Sequence, residues 1–256
     1  MTSEYLSSYL DNAESDIIRL TAKLLAKPER EIALALSLAY RQKGACHFFL
    51  SGQTHVFFNC LHHSAASYLF FLQNSRLEDK VTSESAPFFD AINCGLWDCA
   101  DEMARHSRTS CNFDYEYEDD FLYIFFLTNH FFNNDSDSQE ICKNILADYE
   151  KVIEGTSDTR IGICRAFLKN NSAQFNEHFG QFLIERSERI EKMIDSEAIG
   201  EDIWSWSRYF STEGLSLLKL AELKSFKLST NYSQIPEALR DHPMVQFSSD
   251  IWKKID

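Results

Sequence analysis

Proline and glycine are scarce, 4 and 8 of 256 residues, which excludes collagen-like chains and the turn-dense sequences of small all-β folds. Basic side chains are also few: 25 Lys and Arg stand against 39 Asp and Glu, a formal net charge of −14. Such a surface repels the phosphates of nucleic acids and membranes, so neither is an expected partner. No run approaches the roughly 18 uncharged apolar residues of a membrane span, and Met1 to Asp11 holds no basic stretch leading into an apolar one. The expectation is a cytoplasmic chain. Its seven cysteines, an odd number without any Cys-x-x-Cys pair, fit neither a disulfide framework nor a zinc knuckle and are expected to act as small buried hydrophobes.

Catalytic motifs are equally absent. The sequence contains no Gly-x-Gly-x-x-Gly, no Gly-x-x-x-x-Gly-Lys-Ser/Thr, no Gly-x-Ser-x-Gly and no His-Glu-x-x-His. His62 and His63 are adjacent, so on a helix they diverge by about 100° and do not easily share a metal. Asp98, Glu102 and His106 would line one helical face, but no matching carboxylate and histidine set stands elsewhere to complete a di-metal bundle. Asp119-Asp120 has no third carboxylate one turn later to share a magnesium ion. These absences predict no metal, no cofactor and no enzyme.

What is abundant is apolar and aromatic: 44% hydrophobic residues, with 21 Phe, 10 Tyr and 4 Trp. Apolar positions recur at three and four residues almost throughout, predicting helices from Asp11, with capping-box spacing to Glu14, to Ala26, and from Pro28 until Gly52 interrupts. Others are expected over 54–74, 85–106, 138–153, 158–169, 172–199 and 212–225, with an extended or weakly helical tail around Pro236 and Pro243. Phe121–Phe132 is rich in strand formers, yet no second strand candidate lies nearby to satisfy its backbone, so a buried helix over 117–132 is predicted. The fold class is all-α, a multi-helix bundle or short solenoid of packed helical hairpins, with 1–256 as one domain. Phe57, Leu61, Tyr68, Phe71, Phe125, Phe179, Phe182 and Leu218 are the expected core.

The negative charge is concentrated. Between Glu78 and Glu150 stand 17 acidic residues against 4 basic ones, which places nearly the whole imbalance inside the region 78–150. Within it, Asp114, Tyr115, Glu116, Tyr117, Glu118, Asp119 and Asp120 interleave aromatics with carboxylates, a pattern that combines electrostatic steering with anchor side chains. These seven are the candidate contacts for a basic protein partner, with Asp98, Asp101, Asp135 and Asp137 supplying field at the rim. The alternative is a solvated acidic face with Tyr115 and Tyr117 tucked into the core.

Near the C-terminus, Trp206 is followed by Ser211, Glu213, Gly214 and Leu215, then by Leu218, Leu220 and Ala221. This order resembles the closing signature of immunity protein family forty-nine of bacterial polymorphic toxin systems, and the Ala-, Phe- and Leu-rich helices from Glu29 to Phe71 share that family's layout. The resemblance implies a mostly helical cytoplasmic protein that binds and neutralises a cognate toxin effector domain by occluding its active site. An acidic face suits a basic effector domain, a nuclease among the candidates, because carboxylates can take the places of phosphates. A helical adaptor or regulator that binds some other protein is the competing expectation. The signature itself reads as structural: Ser211 or Thr212 caps a helix, Glu213 sits in its positive first turn, and Gly214 allows close packing.

Overall fold

The computed structural model describes residues 4–133, 135–229, 231–240 and 246–254. Among them are eleven α-helices, three short 3-10 turns and no strand. The first three helices, α1 (Leu6–Ala26), α2 (Arg30–Ser51) and α3 (Thr54–Asn74), form two successive hairpins. The α2–α3 turn is made by Gly52, left-handed at φ 69°, whose N–H donates to Phe48 O at 2.8 Å. Where α2 crosses α3, Gly44 lets the backbones approach: a Cβ there would lie 3.0 Å from Cys60 Cβ and 3.1 Å from Phe57 O.

The expected helix over 85–106 is two helices, α4 (Ala86–Asn93) and α5 (Trp97–His106). Gly95 breaks it at φ 67°, with Leu96 N–H donating to Ala91 O and Gly95 N–H to Ile92 O, a left-handed helix end. The remaining helices are α6 (Glu118–Phe132), α7 (Ser138–Val152), α8 (Thr159–Leu168), α9 (Ser172–Asp195), α10 (Glu201–Ser207) and α11 (Thr212–Leu223). The run at 121–132 is indeed helical, with Glu118, Asp119 and Asp120 in the positive first turn of α6. Side chains cap three helices: Asp158 accepts from Arg160 N–H, Asn171 from Ala173 and Gln174 N–H, and Ser211 from Gly214 N–H. Two boundaries differ from expectation. Helix α1 begins at Leu6, one and a half turns before Asp11, and α9 stops at Asp195, where Glu197 turns left-handed and Ala198 N–H returns to Met193 O.

Helix α4 packs on both α3 and α11, α5 joins α3 to α6, and the hairpins α6–α7 and α8–α9 close the other side. One contiguous apolar cluster runs through all of these layers. Of the expected core residues, Phe57, Leu61, Tyr68, Phe71, Phe179, Phe182 and Leu218 are buried, while Phe125 is only partly so. Six cysteines are buried, Cys111 is half-buried, and all seven are free.

The tail is stitched to this body. Trp252 is fully buried against Phe70, Tyr40 Oη donates to Trp252 O at 3.2 Å, and Ser248 N–H donates to His62 Nε2 at 3.2 Å. His62 thus serves the fold as a hydrogen-bond acceptor, and burial lowers its pKa. Weak helix, at Glu237–Leu239 and Ile251–Lys253, is what the tail forms, and Pro243 lies outside the described residues.

Candidate functional site

The 107–117 loop joins α5 to α6, and the segment 80–85 runs beneath it. Four side chains tie the two together. Lys80 Nζ donates to His106 O at 2.8 Å and Thr82 Oγ1 to Arg108 O at 3.1 Å. Asn112 Nδ2 reaches both Glu78 O and Lys80 O, at 3.2 and 3.3 Å. The Glu116 carboxylate accepts from Ser83 N–H at 2.8 Å and from Asn112 N–H at 2.9 Å. Lys80, Thr82, Asn112 and Glu116 are all buried, so these bonds form away from competing water.

This bracing decides where the seven candidate residues go. Glu116 turns inward and is 8% exposed, so it is a latch for the loop and not a contact surface. Its neighbours turn outward: Tyr115 is 59% exposed and Tyr117 79%, which rejects the alternative in which both tuck into the core. Phe113, 74% exposed, joins them, and Asp114 and Glu118 are exposed as well. Phe113 is hard to single out from sequence because it stands in the otherwise mostly polar stretch 107–114. The two-residue spacing of Phe113, Tyr115 and Tyr117 was its one available signal.

Tyr115 is held in place from one side by Arg30, whose guanidinium lies 4.1 Å from the ring centroid. The same guanidinium stands 3.8 Å from the largely buried carboxylate of Glu84. Burial pushes the Glu84 carboxyl up to about 7 despite Arg30, with Glu31 and Glu116 adding like-charge repulsion. A cleft of about 430 Å³ opens beside Tyr115, between the α1–α2 turn and the end of α3.

Asp119 and Asp120 are shared with a largely buried arginine, Arg160. Arg160 Nη1 is 2.6 Å from Asp120, and its Nη2 is 2.7 Å from Asp158 and 3.5 Å from Asp119. Tyr149 Oη also donates to Asp158 Oδ2, and the Tyr123 ring lies 5.0 Å from the guanidinium. Burial alone would raise the Asp158 carboxyl, but Arg160 holds it below its usual value. These contacts fix the start of α6 to the start of α8, and the two aspartates still keep about a third of their side-chain surface in water.

Of the rim residues, Asp98, Asp135 and Asp137 are exposed, and Asp101 pairs with Arg105. Glu102 pairs with Arg105 and lies 3.5 Å from His106, and no group of three or more metal-ligating side chains gathers among the described residues. Nor is any described helix long and apolar enough to cross a membrane. The C-terminal signature is interior: Trp206, Ser211, Gly214, Leu215, Leu218, Leu220 and Ala221 are buried, and Ser211, not Thr212, is the cap. Glu213 sits within reach of Arg160, Arg186 and Arg189, with burial raising its carboxyl against their pull. No family model, curated protein or solved structure matches this chain.

Proposed function

We propose that this chain is a cytoplasmic immunity protein that grips a basic toxin effector domain with the 113–117 loop and covers its active site. The observation that carries this reading is the exposure of Phe113, Tyr115 and Tyr117 on a loop braced from beneath, among the carboxylates of Asp114, Glu118, Asp119 and Asp120. Large apolar side chains clustered in water are unfavourable for a chain that works alone, and rigid aromatic anchors of this kind dominate protein interfaces. The surrounding acidic field selects a basic partner and speeds its approach. The toxin part of the reading rests on the signature from Trp206 to Ala221.

Two variants separate the anchor from the field. Replacing Phe113, Tyr115 and Tyr117 by Ser should speed dissociation from the cognate toxin domain, costing about 2–5 kcal/mol, and should abolish protection of cells. Replacing Asp114 and Glu118 by Ser, which leaves the Arg160 cluster intact, should instead slow association and flatten its salt dependence. Circular dichroism would first establish that both variants fold. Affinity within about twofold of the parent for both variants would remove this surface from the mechanism. Binding without neutralisation would favour the adaptor reading.

A further inference from the structure

A hollow of about 270 Å³ lies on a different face, between the ends of α6 and α8, the start of α7, the α8–α9 turn and the residue just past α11. Its lining is unusual for a chain of net charge −14, because it includes Lys224 and no carboxylate. The Lys224 ammonium, half-buried, lies 5.4 Å over the Phe131 ring and makes no ion pair among the described residues. Ser138, Gln139 and Asn170 also line the hollow, and none of their side chains makes a hydrogen bond among the described residues. Asn170 is held left-handed at φ 50°, a conformation few non-glycine residues adopt, at the turn between α8 and α9. His130 forms the inner wall, stacked on Phe126, with Nε2 buried and without a partner.

We propose that this hollow binds a small oxyanion, a phosphate or carboxylate group, through Lys224, Asn170 and Ser138. Charge selects the class: an unpaired ammonium in a lining without carboxylates attracts an anion, whereas a cation would meet only repulsion. Donor count selects an oxygen-rich anion, since Lys, Asn, Gln and Ser supply several hydrogens at once. Size restricts the ligand, because the volume falls below the roughly 300 Å³ at which pockets for drug-sized molecules begin. The first-turn amide of Gln139 in α7 has no acceptor among the described residues and adds a favourable partial charge.

The test is a titration of the whole protein with sodium phosphate, sodium acetate and sodium chloride at matched ionic strength, followed by NMR of the His130 ring and the Asn170 amide. A saturable response to phosphate or acetate, absent with chloride, is expected, and which of the two binds more tightly assigns the ligand class. Lys224→Met and Asn170→Gly should each weaken binding about tenfold, whereas Lys169→Met, beside the hollow but not lining it, should leave it unchanged. Asn170→Gly also guards against misfolding, since glycine adopts the left-handed turn without strain. An unsaturable response, an equal response to chloride, or equal weakening by Lys169→Met would overturn the proposal without touching the 113–117 surface.

Discussion

At the scale of single residues, buried ionisable groups set how stability follows pH. Glu84 keeps its proton up to about pH 7 in the fold, while in the unfolded chain it ionises near 4.5. As pH rises through that interval the unfolded state releases a proton that the folded state retains, so stability falls, and it levels off above the folded value. Glu84→Gln removes this penalty. The variant should be more stable than the parent by about 1–3 kcal/mol at pH 8 and nearly equal to it at pH 5, as read from urea denaturation at both values. His130 works in the opposite sense. Burial and the nearby Lys224 lower its pKa to about 4, so its contribution is intact above the ordinary histidine value of 6.5 and is lost as pH falls from there toward 4. His130→Gln should flatten that acid limb in the same measurement.

At the scale of helices, the ends decide more than the middles. Helix α11 starts where Ser211 Oγ accepts from Gly214 N–H at 2.9 Å, and the space beside Gly214 is already taken. A Cβ there would meet Ile235 Cδ1 at 2.9 Å, Ser211 Oγ at 3.0 Å and Ser211 Cβ at 3.1 Å. The isoleucine end can swing away, but the cap cannot move without losing its bond. Gly214→Leu should therefore cost about 1–3 kcal/mol through overpacking and a disturbed cap, seen as a lowered thermal midpoint. A glycine open to solvent would give no change.

At the scale of the whole molecule, the C-terminal tail closes the α2–α3 layer. Trp252 has no exposed surface, although it sits on a 3-10 turn of only Ile251–Lys253. Its ring packs on Phe70, its carbonyl accepts from Tyr40, and nearby Ser248 bonds His62. Trp252→Ala should cost about 3–5 kcal/mol in thermal or urea unfolding. Faster amide exchange should then appear in α2 and α3, where Tyr40, His62 and Phe70 lose their cover, and not in α6 to α9.

The helical class, seven of eight expected core residues and the ends of α3 were legible in the sequence because they follow from local periodicity and local chain breakers. Apolar residues three and four apart must share a face, and a long run without a pairing strand must satisfy its own backbone as a helix. The break at Gly95 was missed because the apolar pattern continues across it, and only the left-handed turn shows that the chain changes direction. The acidic run from Asp114 to Asp120 was visible as composition, but composition does not say which way a side chain points. Tertiary structure decided that: two backbone amides, from Ser83 and Asn112, draw Glu116 inside, and Arg160, forty residues further on, shares Asp119 and Asp120. Tyr115, Tyr117 and Phe113 face water as a result. Ser83 and Arg160 come from distant parts of the chain, so this geometry exists only once the helices have packed.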